Sequence, residues 1–126
     1  MVKRGFTLAE LLITIVILAV LTAIALPQFQ KTGDKANKDQ AIADLRRIQT
    51  AEKIYFLKNG VYIYCDNKSD FQNILGVELS PVKYYYVVDE ISATSFNAYA
   101  CNNASGYQIR INQKGEFAEG YGLYIL

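Results

Sequence analysis

Lys3-Arg4-Gly5-Phe6-Thr7-Leu8-Ala9-Glu10-Leu11-Leu12-Ile13-Thr14-Ile15-Val16-Ile17-Leu18-Ala19-Val20-Leu21-Thr22-Ala23-Ile24-Ala25-Leu26 is a basic pair followed by an apolar run that contains one acid. As a helix rising ~1.5 Å per residue, the 21 residues from Phe6 to Leu26 span about 30 Å, the thickness of bilayer hydrocarbon. The segment is expected to cross a membrane once. Lys3 and Arg4 precede it and no further base occurs until Lys31. Charge bias therefore keeps the N-terminus cytoplasmic and sends the remainder outward. An ionised carboxylate in hydrocarbon is costly without a partner, so Glu10 is a candidate functional residue. The question is what it pairs with.

A basic start and an apolar core also describe an ordinary secretory signal, and Ala23-Ile24-Ala25 offers it a small-x-small cleavage site. Glu10 argues against that reading, because it interrupts the apolar region. Two plainer fates for the acid are snorkelling to the cytoplasmic interface and simple protonation.

Gly5-Phe6-Thr7-Leu8-Ala9-Glu10-Leu11-Leu12 resembles the prepilin signature of bacterial type IV pilins and type II secretion pseudopilins. The resemblance implies a prepilin peptidase that cuts between Gly5 and Phe6, and N-methylation of Phe6. It implies too that Glu10, fifth residue of the processed chain, serves assembly, and that Pro27 stands where many members carry a helix-kinking proline. The physics agrees: cleavage creates a positive amine on Phe6, and Glu10 of a neighbouring subunit would satisfy it where either group alone is costly. The resemblance covers the first dozen residues and the architecture, and says little about residues 60–126.

Pro27 has no amide hydrogen and clashes with the preceding turn, and Gly33 is a second weak point worth ~1 kcal/mol against Ala. A kink is expected there, with Gln28 to Gly33 irregular. From Asp34 to Asn59 the pattern turns amphipathic, with Ala41, Ile42, Leu45, Ile48, Ala51, Tyr55 and Phe56 at three- and four-residue spacing. Asp34 and Lys38 are four apart in the favourable order, and Asp39, Asp44, Arg46, Arg47, Glu52 and Lys53 alternate in sign. That pattern predicts a solvated helix face. Asn59-Gly60 supplies the stop. Residues 6–59 thus read as one long helix.

Val82 to Ile91, Thr94 to Cys101, Tyr107 to Asn112 and Glu116 to Leu126 are rich in Tyr, Val, Ile and Phe and are separated by short polar or glycine breaks. They predict three or four antiparallel strands. Ile109 and Ile111 alternate with Gln108 and Arg110, which points one face of that strand at the helix and the other at solvent. The connection from Val61 to Pro81 is long enough to hold structure of its own, and Asp70 to Leu75 is expected to form a helical turn capped by Asp70. By resemblance it is a surface for partner specificity. Cys65 and Cys101 are expected outside the cytoplasm, where a single disulfide between them would close a loop of about 36 residues and add about 3 to 4 kcal/mol. The alternative is two reduced, buried thiols.

The chain has no histidine, which removes the commonest general base and metal ligand. Two cysteines do not complete a structural zinc site, and neither a phosphate-cradling glycine motif nor a nucleophile elbow occurs. No enzyme, cofactor or metal is expected. Cys65-Asp66-Asn67-Lys68-Ser69-Asp70 offers oxygen ligands for calcium but matches no EF-hand and reads as a polar turn. Thirteen lysines and arginines are scattered, so no direct nucleic-acid surface is expected. The ten tyrosines read as strand residues.

The expected architecture is α+β and pilin-like. It comprises a leader over 1–5, a transmembrane and assembly helix over 6–27, and an extracytoplasmic domain over 28–126 in which the amphipathic half-helix packs on the sheet. The expected function is a subunit that polymerises into a type IV pilus or pseudopilus. It would be held in the inner membrane as a single-pass, N-in monomer and leave it for an extracytoplasmic filament. The partners the resemblance implies are copies of itself, related pilins, the prepilin peptidase and an inner-membrane platform protein. The competing expectation is a secreted or membrane-anchored binding domain that does not polymerise.

Overall fold

The computed structural model of the chain describes residues 4–80 and 83–122. Contacts divide the chain into two units, residues 1–36 and residues 37–126. Helix α1 covers Leu8–Asn59. It continues through Pro27 and Gly33, so the irregular stretch expected over Gln28 to Gly33 is helical here. The continuous helix before Pro27 on one side, and the packed stripe from Ala41 on the other, outweigh two weak positions, because each residue added to an existing helix adds a bond. The helix stops as expected: Gly60 takes φ 75° and donates its amide to the Phe56 carbonyl at 2.7 Å, while the Asn59 side chain donates to Tyr55 at 3.1 Å.

The first unit is helical from Leu8 onward and buries nothing. Leu11, Ile13, Val16, Leu18 and Ile24 are among the large side chains it leaves more than half exposed. Among the described residues, α1 is the one helix long and apolar enough to cross a membrane.

In the second unit, helix α2 spans Lys68–Asn73 and strands β1 Tyr84–Asp89, β2 Asn97–Asn102, β3 Tyr107–Asn112 and β4 Phe117–Tyr121 follow. They form one antiparallel meander in the order β1-β2-β3-β4. All four strands expected from sequence are present. The second begins at Asn97 rather than Thr94, because the Ser92 side chain holds Ser92 to Ser95 in a turn. Residues 123–126 of the last predicted strand, and Pro81 and Val82, lie outside the described residues.

The β2–β3 and β3–β4 hairpins each begin with an asparagine whose side-chain oxygen accepts backbone amides across the turn. Asn102 binds Ala104 at 2.9 Å and Asn112 binds Lys114 at 3.0 Å, the Asx geometry that favours asparagine there. The short helix differs from expectation: Asn67, not Asp70, is its cap, and its Oδ1 accepts the Asp70 amide at 2.9 Å. Asparagine at the cap leaves Asp70 in the first turn, where its negative charge suits the helix dipole.

The core joins Ala41, Leu45 and Ile48 of α1 to Tyr86, Val88, Ala98, Ala100, Ile109 and Ile111 of the inner sheet face, with Phe71 and Cys65 from the connection. The other sheet face is less wet than the alternation of β3 predicts. Val87, Tyr99, Cys101 and Gln108 are all buried, as cross-strand neighbours in register.

Candidate functional site

The segment that carries the charge in the apolar run is locally complete. Thr7 stands just ahead of α1, and its side-chain oxygen accepts the Glu10 amide at 3.2 Å while Glu10 Oε2 accepts the Thr7 amide at 2.9 Å. This reciprocal pair is a capping box, which satisfies two backbone donors that a helix start leaves orphaned. Sequence reasoning missed it, although Thr7-x-x-Glu10 ahead of an apolar run is its signature. Phe6, just before the cap, is 92 % exposed. Gly5 and Phe6 are thus in accessible chain outside any helix or strand.

Farther along, Thr14 donates its hydroxyl to the Glu10 carbonyl at 2.8 Å and Thr22 to the Leu18 carbonyl at 2.7 Å. Both hydroxyls turn back on the helix, so the side chains offer the surroundings a nearly apolar surface. Pro27 lacks the amide that would bind the Ala23 carbonyl.

In the second unit two acids expected on a wet helix face are instead wholly buried. Asp44 accepts from Tyr86 Oη at 2.9 Å, the Ser80 amide at 3.1 Å, Arg47 at 3.2 Å and Gln40 at 3.4 Å. It ties α1 to the end of the connection and to β1. Burial, then Asp44, pushes the Tyr86 hydroxyl far up from its ordinary range. Glu52 accepts the Ile63 amide at 3.0 Å through Oε2, while Oε1 is buried without a partner. Burial raises its carboxyl to about 7, and the Ile63 bond opposes that rise. The helical spacing gives the signal sequence reading overlooked: Asp44 is four residues from Ile48, which is four from Glu52, so all three share a face.

The structure does not form the expected Cys65–Cys101 disulfide. Both thiols are free and buried. Cys65 pairs with Val88 at the open edge of β1 and its side chain joins the inner core. Cys101 lies opposite Tyr85, three residues along from Val88 and two strand spacings from Cys65, across β1 and on the other face. Strand spacing and rise separate their Cα atoms by roughly 14 Å, against the ~4.4–6.8 Å a disulfide needs. Sequence supplies the count of cysteines but not the pleat face of each. Burial, then Glu52, pushes the Cys65 thiol up to about 12, and burial raises Cys101 as well, so neither is a reactive thiolate.

Within the Asp66 to Asp70 turn the asparagine between the two acids bridges them. Asn67 Nδ2 donates to Asp70 at 2.7 Å and to Asp66 at 3.1 Å. Among the described residues no group of three or more His, Cys, Asp or Glu side chains is placed to hold a metal ion.

Comparison with known proteins bears on this geometry. Residues 1–26 match the family model described as the prokaryotic N-terminal methylation motif. The chain is 38 % identical over 74 residues to the type IV major pilin protein PilA of Myxococcus xanthus, covering 59 % of this chain and 31 % of that protein. It is 37 % identical over 60 residues to type II secretion system core protein G of Pectobacterium carotovorum, covering 48 % of this chain and 38 % of the relative. The Escherichia coli core protein G gives 37 % over 60 residues, 48 % of this chain and 41 % of the relative. The chain thus spans about a third to two-fifths of the length of these relatives. The resemblance to pilins and type II secretion pseudopilins is present in both comparisons.

Proposed function

We propose that the chain is a structural subunit that is cut between Gly5 and Phe6, methylated on Phe6, and polymerised through its N-terminal helix into a type IV pilus or pseudopilus. One observation carries the reading: a methylation motif leads into an apolar run, Phe6 to Leu26, that holds a single acid, and among the described residues none before Ala41 is buried. Such a surface is stable in lipid or among like helices, not in water. Glu10 is the element that distinguishes assembly from mere anchoring. In the monomer it caps its own helix; in the filament it also meets the positive amine of a neighbour's Phe6. Pro27 and Gly33 are the positions at which the helix bends or loosens when subunits pack.

The monomer is held in the inner membrane with its N-terminus inside, and residues 28–126 lie outside the cytoplasm. Prepilin peptidase, an inner-membrane platform protein, copies of the chain and related pilins are its partners. Its role is structural rather than catalytic.

The first test is intact mass and N-terminal peptide analysis of the protein from its native envelope, with the sheared surface fraction assayed for filaments. A start at methylated Phe6 and subunit in the sheared fraction are expected. A start near Leu26 or at Met1, with none sheared, would replace this reading with a secreted or anchored domain.

A further inference from the structure

Between residues 40 and 59 the outward face of α1 is basic for a structural reason. Between residues 40 and 59 the acids are Asp44 and Glu52, and both are buried. Arg46, Arg47, Lys53 and Lys58 of the same stretch are exposed. Arg46 lies over the Phe117 ring at 5.0 Å and Arg47 is engaged with Asp44 at 3.2 Å. Lys53 and Lys58 project alongside Ile54, 49 % exposed, and Leu57, 84 % exposed. At 100° per residue, positions 53, 54, 57 and 58 fall on one side of the helix, opposite the Ala41–Ile48 stripe. An apolar centre flanked by cations is the anatomy of a contact surface.

The same domain carries the complement. Tyr64, 47 % exposed, donates its hydroxyl to Asp66 at 3.0 Å, and Asp70 and Asp89 are near enough to raise that hydroxyl together with Asp66. This is an exposed aromatic ring bonded to one carboxylate, in a stretch whose two acids, Asp66 and Asp70, outnumber its one cation, Lys68, beside β1.

We propose that the outward α1 face of one copy docks on the Tyr64–Asp70 connection of a second copy, Ile54 and Leu57 meeting Tyr64, and Lys53 and Lys58 meeting Asp66 and Asp70. The occupant is another copy because both halves of the match, opposite in charge and each with an apolar centre, stand on one chain. Two different patches that mate form a heterologous contact, which propagates instead of closing as a two-fold pair. That is the contact a filament needs, so the inference rests on the filament reading and names the surfaces that mate within it.

Charge exchange tests it in the producing cell with full-length chain. Lys53→Glu with Lys58→Glu should lower sheared filament about tenfold or more, since like charges now face each other, and Asp66→Lys with Asp70→Lys should do the same. The four changes together should restore most of the yield. Singly reversed chains that assemble normally, or a combination that fails while each chain keeps its thermal midpoint in detergent, would overturn the docking. A second measurement does not depend on folding of charge variants: Leu57→Cys with Tyr64→Cys should give an oxidised ladder in wild-type-like filaments. Filaments without a ladder refute this contact and leave the filament reading standing, whereas an unaltered chain that forms no filaments removes both.

Discussion

The two halves of α1 are built on opposite plans. From Thr7 to Leu26 the apolar side chains point outward, no residue is buried, and the polar groups turn back on the backbone: Glu10 on Thr7, Thr14 on Glu10, Thr22 on Leu18. After Asn37 the apolar stripe is buried, two acids are buried with it, and cations face out. One helix therefore satisfies two solvents by inverting where its polar atoms go. Apolar surroundings demand that polar groups find partners within the segment, whereas a watered domain is free to bury a few acids if the core supplies donors.

The largest effect that would sharpen this contrast lies in the first half. Glu10→Gln keeps a capping acceptor for Thr7 but removes the charge, so monomer should accumulate normally in the membrane. Filament yield should fall by two orders of magnitude or more, in keeping with about 3–5 kcal/mol for an ion left unpaired in a buried contact. Normal yield would show that the acid only caps the helix. In the second half, Asp44→Ala strands the Tyr86 hydroxyl and the Ser80 amide, and should cost about 3 kcal/mol in thermal or denaturant unfolding of the detergent-solubilised chain. A loss under about 1 kcal/mol would place the acid among ordinary surface charges.

Glu52 gives a pH signature next in size. Its folded carboxyl is raised to about 7 from an ordinary 4.5, so its contribution is full below the unfolded value and is lost as pH climbs through the folded one. Stability should fall between about pH 4 and pH 8 by up to about 3 kcal/mol, and Glu52→Gln should flatten the slope. An unchanged slope in the variant would assign the pH dependence elsewhere. Smaller still, Thr7→Ala should cost about 1 kcal/mol of helix start, read as added hydrogen exchange at Leu8 to Leu11 with no change farther along. Smallest is a null effect: reductant should leave the thermal midpoint where it was, because Cys65 and Cys101 are free. A fall on adding reductant would restore the disulfide.

The same contrast explains what was legible in the sequence. The membrane-length run, the amphipathic half, the Asn59-Gly60 stop and four strands follow from periodicity and turn chemistry, which are local and sit on the chain as written. Asp44, Glu52 and the cysteines were misread because their fate depends on distant residues. Nothing near Asp44 in sequence announces Tyr86, 42 residues away, and no spacing tells on which pleat face Cys101 falls. Thr7 and Glu10 are the exception, a local motif passed over because the charge drew attention to a partner in another molecule.

The capping box has one more consequence, for traffic in the reverse direction. A subunit leaving a filament gives up whatever its neighbour offered Glu10, and an acid with no other partner would make that departure steeply uphill. Here the Thr7 amide, 2.9 Å from Oε2, belongs to the subunit itself and travels with it. On the filament reading proposed above, the carboxylate would return to the bilayer with that bond already made by its own backbone, which lowers the cost of a subunit's departure.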